Sequence, residues 1–270
     1  MSSGLHAVQQ IRRLRGGSQA QLLRASDGAY YVTKSLNNPQ HVRVLANEML
    51  AARLGHLLGL PLPRVEPIEV SEWLIEHTGE LRIDLAGSST LWKAGVHLAS
   101  LYVDDPSNGP VFDYLPESLL ERLDNARDFA RVLVLDRWTC NSDGRQAVFS
   151  RKAKRRSTYS ATFIDQGYCF NAGDWDFPDS PLRGVFAMNC VYRHVAGWSA
   201  FEPALTRAEQ MDVDVIWRIA TAIPPAWYEF DRDGLNRLVE SLYKRRAIIR
   251  DLITAFRQSS RDPFPNWTGN

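Results

Sequence analysis

Four charged side chains are spaced along the sequence in a way that suits work on a phosphate-bearing ligand. Lys34 ends a strand-like run of aromatic and β-branched residues, and Glu48 lies in the middle of the next helical pattern. A lysine on a strand and a glutamate on the following helix can form the ion pair that holds the lysine over nucleotide phosphates. Asp143 lies in a predicted loop, where a carboxylate can meet a substrate hydroxyl. Asp165 ends a predicted strand just before a glycine, a place where a carboxylate can bind a hard cation such as Mg²⁺.

A glycine-containing turn precedes these residues in the chain. Gly16, Gly17 and Ser18 lie between two predicted strands. Glycine lets backbone N–H groups come close to phosphate oxygens, although an ordinary turn has the same composition. We predict that these three residues and Lys34 contact the nucleotide.

The elements that must position these side chains fall into two parts. Residues 1–80 contain strand patterns around an Asp27-Gly28 hairpin turn, then helical periodicity over residues 41–58, and two short strands over 64–76. We predict that they form a small lobe, the N-lobe.

Residues 81–257 form the predicted C-lobe, and residues 258–270 a loose tail. Helical periodicity is found over residues 119–140, 205–222 and 233–257, and strand-like runs over residues 146–150 and 157–165.

Composition excludes several other classes of protein. The net charge is +1, and 44% of the residues are hydrophobic, so neither a nucleic acid nor a membrane is expected as partner. The three cysteines, Cys140, Cys169 and Cys190, fit no zinc pattern, and the six histidines show no paired-ligand spacing. No apolar run of membrane-spanning length and no signal peptide is found, which predicts a cytoplasmic protein. The basic run Arg151–Arg156 is the basis of one alternative, a module that binds nucleic acid or an acidic partner.

Several stretches of the sequence resemble the HipA-like kinases. The run Asn47–Leu54, closing with Leu58–Pro63, looks like the helix of that family. The loop Asn141–Arg145 and the strand end Phe163–Gly167 are similar to the family's catalytic loop and metal-binding aspartate. The resemblance spans roughly residues 10–170.

The resemblance implies a fold, an activity and site residues. The expected fold is α+β and two-lobed, like a protein kinase, with a small antiparallel-sheet N-lobe carrying one helix and a mostly helical C-lobe. The implied activity is an ATP- and Mg²⁺-dependent phosphotransferase, with a Ser/Thr hydroxyl of a protein or a small molecule as acceptor. Lys34 would contact the ATP phosphates, Glu48 would pair with it, Asp143 would be the catalytic aspartate and Asp165 would hold Mg²⁺.

The sequence departs from the family at one metal-binding position. The family usually has asparagine five residues after the catalytic aspartate, and this chain has Val148 there. We predict Asn141 as the second metal ligand, with Gln146 as the alternative. If Asp136 were the catalytic residue instead of Asp143, Asn141 would take the usual position, but Asp136 falls within a predicted helix. The departure leaves an ATP-binding pseudokinase or regulatory module without turnover as the alternative function.

A loop-rich segment follows Asp165 and is the place where a kinase-like fold would present the acceptor. Residues 171–184 contain three aspartates together with Trp175 and Phe177. They could form a substrate or second metal site, or a loop packed by its aromatic side chains.

Overall fold

The computed structural model describes residues 4–103, 110–120, 122–151 and 158–269. A five-stranded antiparallel sheet in the order β1-β2-β3-β7-β4 forms the N-lobe with one long helix, and β5 and β6 make a separate hairpin. The elements are β1 (Ala7–Arg13), β2 (Gln21–Ala25), β3 (Tyr30–Lys34), α1 (Arg43–Leu58), β4 (Val65–Val70), α2 (Glu72–Glu76), β5 (Arg82–Leu85), β6 (Ser88–Leu91) and β7 (Gly95–Leu101).

The strand that carries Lys34 lies in the middle of this sheet. β3 is hydrogen-bonded to β2 on one side and to β7 on the other, and Lys34 is paired with Leu98. A central strand has both edges paired, so the backbone at Lys34 is held firmly in place. By its hydrogen bonds β7 belongs to the N-lobe, although it lies beyond residue 80, where we expected the lobe to end.

Helix α1 is buried along most of its length because it lies between the two lobes. It packs on β4 and β7 on one side and on three helices of the C-lobe on the other. Gly59 ends the helix with φ 82°, a left-handed conformation that glycine adopts without steric cost. Glu48 is therefore a buried residue with only 4% of its surface exposed, and not a side chain on a solvated helix face.

The C-lobe is mostly helical and contains one β-hairpin. Strands β8 and β9 are antiparallel, and their register pairs Gln146 with Ile164 and Val148 with Thr162. The elements are α3 (Glu117–Leu120), α4 (Asp128–Trp138), β8 (Gln146–Arg151), β9 (Tyr159–Ile164), α5 (Ala204–Glu209), α6 (Val213–Ala220), α7 (Arg232–Arg245) and α8 (Ile249–Arg257).

Several predicted elements are shorter than expected, and local side chains explain two of the differences. The predicted second strand of residues 64–76 is helix α2, because Ser71 caps it by accepting the N–H of Leu74. The predicted helix 205–222 is interrupted before α6, where Asp212 accepts the N–H of Asp214 and starts a new helix. The predicted helices 119–140 and 233–257 are also each divided in two.

The C-terminal segment differs from the loose tail that we predicted. Phe264 is 3% exposed and packs against Phe256 and Tyr192, and Trp267 packs on the same aromatic cluster. The N–H of Thr268 donates to the carbonyl of Ala196 at 2.8 Å. The buried side chain of Phe264 and the partly buried side chain of Trp267 explain why this segment is docked.

The structure bears on two features that were considered as signs of a partner: a membrane-spanning helix and the basic run. In the part of the chain that the structure describes, no helix is both long and apolar enough to cross a bilayer. The basic run Arg151–Arg156 begins at the last residue of β8, and residues 152–156 lie outside the described residues.

His97 fixes the segment that follows Lys34. Its Nδ1 accepts the N–H of Leu36 at 3.0 Å, so Nε2 must carry the proton that is donated to the carbonyl of Lys93 at 3.0 Å. Trp92 stacks on the ring with centroids 5.1 Å apart. Burial lowers the pKa of His97 to about 4, against the opposing effect of the Lys93 hydrogen bond. The fold therefore requires a neutral ring.

We predict that protonation of His97 makes the protein less stable in acid. The unfolded chain takes up this proton near pH 6.5 and the folded chain only near pH 4, so stability is fully present above the first value and falls as the pH is lowered between the two. Protonation of this residue should lower the free energy of unfolding by roughly 3 kcal/mol. Urea unfolding at pH 7 and at pH 4.5 measures the free energy of unfolding, and its decrease between the two pH values should be smaller in His97→Gln than in the wild type. His77→Gln, at an exposed site, is the control, and equal losses in wild type and His97→Gln would contradict the assignment.

Candidate active site

The structure brings Lys34, Glu48 and Asp165 together between the lobes. The Lys34 Nζ donates to Glu48 Oε2 at 2.5 Å and to Asp165 Oδ1 at 2.8 Å. The side chains of Lys34 and Glu48 are 8% and 6% exposed, and that of Asp165 is 30% exposed. The lysine is thus held from its buried side by Glu48, and Asp165 is the member of the group that solvent and ligands can reach.

Asp165 leaves the end of β9 in an unusual backbone conformation. Its φ is 59°, in the left-handed region that only a few non-glycine residues occupy. A Cβ at Gly167 would lie 3.3 Å from the Cβ of Val44 and 3.5 Å from Asp165 Oδ1, so glycine lets α1 and the carboxylate approach this turn closely. Strained backbone of this kind is often found where a side chain must be held in one direction for function.

The pKa values of the three groups follow from burial and their mutual charges. Burial alone would lower the pKa of Lys34, but the charges of Asp165 and Glu48 outweigh it and raise the pKa above its ordinary value. Burial raises the pKa of Glu48, and Lys34 opposes this only in part. Burial would also raise the pKa of Asp165, but Lys34 holds it below its usual range. With both carboxylates ionised the group carries one net negative charge, which a bound cation would offset.

A cleft of about 600 Å³ opens from this group between the lobes. Its volume is within the range of sites for small ligands and cofactors. Its lining includes the apolar side chains of Ala20, Val32, Leu101, Val103, Val148 and Ile164. Lys34, Glu48 and Asp165 also line the cleft and define its charged end.

The glycine turn lies between β1 and β2, and only part of it reaches the cleft. Ser18 lines the cleft, whereas Gly16 and Gly17 are not among the lining residues. The turn is held by the β5–β6 hairpin: Arg13 pairs with the Asp84 carboxylate, and Gln19 Nε2 donates to the Asp84 carbonyl at 2.7 Å.

Three arginines add positive charge to the same wall of the cleft. Arg12, Arg13 and Arg15, at the end of β1 and just after it, line the cleft. Their role was not predictable from the sequence, because a basic run on a strand does not show which face points inward. Arg13 is paired with Asp84, and the positive charges of Arg12 and Arg15 favour an anionic ligand.

Asp136, the alternative catalytic carboxylate, is closed off from the cleft. It is 3% exposed, pairs with Arg145 through both oxygens, and accepts the Asn141 Nδ2–H at 2.9 Å. Arg145 also donates to the carbonyl of Ile164 at 2.9 Å. This buried pair therefore ties α4 to the strand end that carries Asp165, and sequence alone gave no sign of it.

Asn141, which we predicted as a second metal ligand, uses its side-chain amide in two hydrogen bonds. Its amide nitrogen donates to Asp136 and its amide oxygen accepts the N–H of Asp143 at 3.2 Å, so both ends are used inside the C-lobe. Asp143 itself is exposed in the loop, and its Oδ2 accepts a hydrogen bond from Gln146 Nε2 at 3.3 Å. Gln146 lines the cleft, so this hydrogen bond joins Asp143 to the cleft lining, although Asp143 is not itself a lining residue.

Asn47, next to Glu48 in α1, joins this helix to the segment that follows Asp165. Its Nδ2 donates to the carbonyls of Gly167 at 2.9 Å and Ala172 at 2.6 Å, and its Oδ1 accepts from Trp175 Nε1 at 2.7 Å. Arg43, one turn earlier, lies 4.6 Å from the Trp175 ring centroid. The segment is thus packed by its aromatic side chain against the helix that carries Glu48, and we had not identified Asn47 as a site residue.

Replacing Asn47 by alanine should lower the free energy of unfolding by roughly 3 kcal/mol. The change leaves three polar groups without their partner, in one buried and two partly buried hydrogen bonds, and a buried group of this kind costs about 1–3 kcal/mol before relaxation. Urea unfolding measures the difference. Asn37→Ala is the matched control, because Asn37 also makes two backbone hydrogen bonds but at an exposed site. A loss in Asn47→Ala no larger than in the control would contradict the role given to Asn47.

The donor set around Asp165 suits a hard cation that arrives with a ligand. The described residues contain no cluster of three or more His, Cys, Asp or Glu side chains arranged for a metal. Mg²⁺ is commonly bound by one or two carboxylates together with substrate phosphates and water, and does not need such a cluster. The partly exposed Asp165 carboxylate at the charged end of the cleft fits this mode.

Solved structures with the same architecture have little sequence identity to this chain. The Helicobacter pylori proinflammatory kinase CtkA superposes with a TM-score of 0.53 at 13% identity, over 88% of this chain and 96% of that one. A Golgi casein kinase with Mn/ADP bound gives 0.53 at 11% identity, over 95% and 73% of the two chains. HipA from Shewanella oneidensis MR-1, solved with HipB and its operator DNA, gives 0.51 at 11% identity, over 96% and 75%.

These likenesses confirm the two-lobed protein-kinase-like fold expected from the sequence. No curated protein matches the chain in a sequence comparison. The sequence pattern of the HipA-like kinases matches residues 8–151, which is more than half of the chain and includes Lys34, Glu48 and Asp143. The chain belongs to the HipA-like kinase family.

Proposed function

We propose that this chain transfers the γ-phosphoryl group of ATP, with Mg²⁺, to a hydroxyl group of a protein or small molecule. One observation carries the proposal: Lys34 is held between Glu48 and Asp165 at the charged end of the cleft between the lobes. A buried lysine fixed by a helix glutamate, with a partly exposed aspartate beside it, is the arrangement that phosphoryl transfer needs.

The cleft accounts for both parts of a nucleotide. Its apolar lining, with Val32 and Ile164, suits a base, and its charged end suits phosphates. In this arrangement Lys34 contacts the phosphates, and Glu48 keeps its ammonium group in place. The ADP and Mn in the related Golgi casein kinase structure support a nucleotide and a divalent cation as ligands of this fold.

Asp165 is the residue that we propose for the metal. Its carboxylate is partly exposed, already ionised because of Lys34, and directed to the same end of the cleft as the phosphates would be. When bound, Mg²⁺ neutralises the charge that develops on the phosphate oxygens.

Asp143 is the proposed catalytic carboxylate. It is exposed and hydrogen-bonded to Gln146, which lines the cleft, and in the proposed reaction it accepts the proton of the acceptor hydroxyl. Asp136 is fully engaged by Arg145 and Asn141, which supports a structural role for that residue.

A pseudokinase that binds ATP without turnover is the second candidate. The observation that favours it is Val148, which lines the cleft and provides no metal ligand. The two candidates predict the same nucleotide binding and differ in turnover.

We predict that Lys34→Ala weakens ATP binding by about 1–3 kcal/mol, because a charged hydrogen-bond donor to the phosphates is lost. Isothermal titration with ATP and Mg²⁺ measures the change, after circular dichroism has shown that the variant is folded. Lys93→Ala, an exposed lysine, is the control and should titrate like the wild type. An unchanged affinity in Lys34→Ala would exclude Lys34 from the phosphate site.

Asp143→Asn should reduce turnover by a factor of about 10²–10⁴, the usual contribution of a general base, and leave ATP affinity unchanged. Transfer of label from γ-labelled ATP to the protein itself or to water measures turnover without a known acceptor. Asp212→Asn is the control, since Asp212 caps a distant helix and asparagine caps equally well. Measurable turnover that is the same in Asp143→Asn would exclude this residue, and no turnover in the wild type would favour the pseudokinase.

A further inference from the structure

The position where the family usually provides a metal-binding amide is apolar in this chain. Val148 lines the cleft and has no ligand atom, and both ends of the Asn141 amide are engaged within the C-lobe. Asp165 is then the one carboxylate proposed for the metal. A hard cation binds amide oxygens as well as carboxylate oxygens, so a side-chain amide that lines the cleft could provide a second ligand.

Gln146 has the required position on β8. It is two residues before Val148, and alternate residues of a strand point to the same face. Both side chains line the cleft, whereas the intervening Ala147 is buried. The strand register pairs Gln146 with Ile164, the residue directly before Asp165. Gln146 therefore lies across from the residue before Asp165, and the side chains of Gln146 and Asp165 both line the cleft.

The hydrogen bonds of Gln146 leave its oxygen available. Its Nε2 donates to Asp143 Oδ2 at 3.3 Å, which fixes the orientation of the amide. Among the residues that the structure describes, none donates a hydrogen bond to its Oε1. An amide held by its nitrogen presents its oxygen, the atom that a hard cation binds.

We infer that Gln146 Oε1 is a ligand of the divalent cation, together with Asp165 and the nucleotide phosphates. The inference rests on the proposed function and adds a residue to its metal site. The longer side chain of glutamine, placed two residues earlier on the strand, takes the role of the missing asparagine. Because the same amide donates to Asp143, it also links the position of the catalytic carboxylate to the metal.

The test is a titration with Mn²⁺ in the presence of saturating ADP, in which electron paramagnetic resonance measures the free Mn²⁺. Gln146→Ala should raise the dissociation constant for Mn²⁺ about tenfold or more, the range seen when groups that support a metal site are lost. Its affinity for ADP without metal should equal that of the wild type. Gln146→Glu, which keeps an oxygen at this position, should retain Mn²⁺ binding.

A restoring variant separates the loss of a metal ligand from a general disturbance of the structure by Gln146→Ala. Val148→Asn in the Gln146→Ala background restores an amide oxygen on the same strand face and should recover Mn²⁺ affinity. Ser150→Ala, two residues further along β8, is the matched control and should titrate like the wild type.

The outcomes separate this inference from the proposed function. If the wild type binds Mn²⁺ with ADP and Gln146→Ala binds it equally well, Gln146 is not a ligand and the proposed function stands. If the wild type shows no ADP-dependent binding of Mn²⁺, both the metal site and the inference are overturned.

Discussion

The ammonium group of Lys34 is shared by two carboxylates in a largely buried site, and the rest of the structure depends on keeping it there. Removing three charges from water is costly, and a buried ion pair seldom adds net stability to a fold. Lys34 and Glu48 are nevertheless almost fully enclosed, and Asp165 adds a second negative charge to the same lysine. Burial raises the pKa of Glu48, and the negative charge of Asp165 adds to this effect, while Lys34 opposes it only in part. An arrangement of this kind is best explained by a ligand that brings a cation.

Each of the three groups comes from an element that is held on several sides. Lys34 ends the central strand of the N-lobe sheet, and Glu48 lies in α1, which is buried between the lobes. The strand end with Asp165 is fixed by Arg145, which bridges it to α4. Asn47 then joins α1 to the segment after Asp165. The site is therefore built at the junction of both lobes, and a movement of α1 would change the pairing of Lys34 and the position of that segment together.

The sequence predicted the strands and the helix that carry the site residues better than it predicted the contacts that join these elements. The strand before Lys34, the helix around Glu48 and the strand before Asp165 have strong hydrophobic periodicity, and each was found within two residues of its expected bounds. The residues that join the elements could not be predicted, because Arg145, Asn47 and Trp175 find their partners only after distant parts of the chain have come together. The same reason applies to β7, which is irregular in sequence and is recognised as part of the N-lobe only by its pairing. Asn141 was expected at the metal and is used inside the C-lobe, since spacing along a loop does not fix the direction of a side chain.

The most direct test of this account is the thermal unfolding of wild type and Asp165→Asn, each alone and with ADP and Mg²⁺. Without ligands the variant should unfold at the same or a higher temperature than the wild type, because Lys34 keeps Glu48 as partner and the excess negative charge is gone. With ligands at a hundred times their dissociation constant, the free energy of unfolding of the wild type should rise by about 2.7 kcal/mol. The Mg²⁺-dependent part of this rise should disappear in the variant. A variant that is less stable without ligands and keeps the full Mg²⁺-dependent gain would show that Asp165 serves the fold and not a metal–nucleotide site.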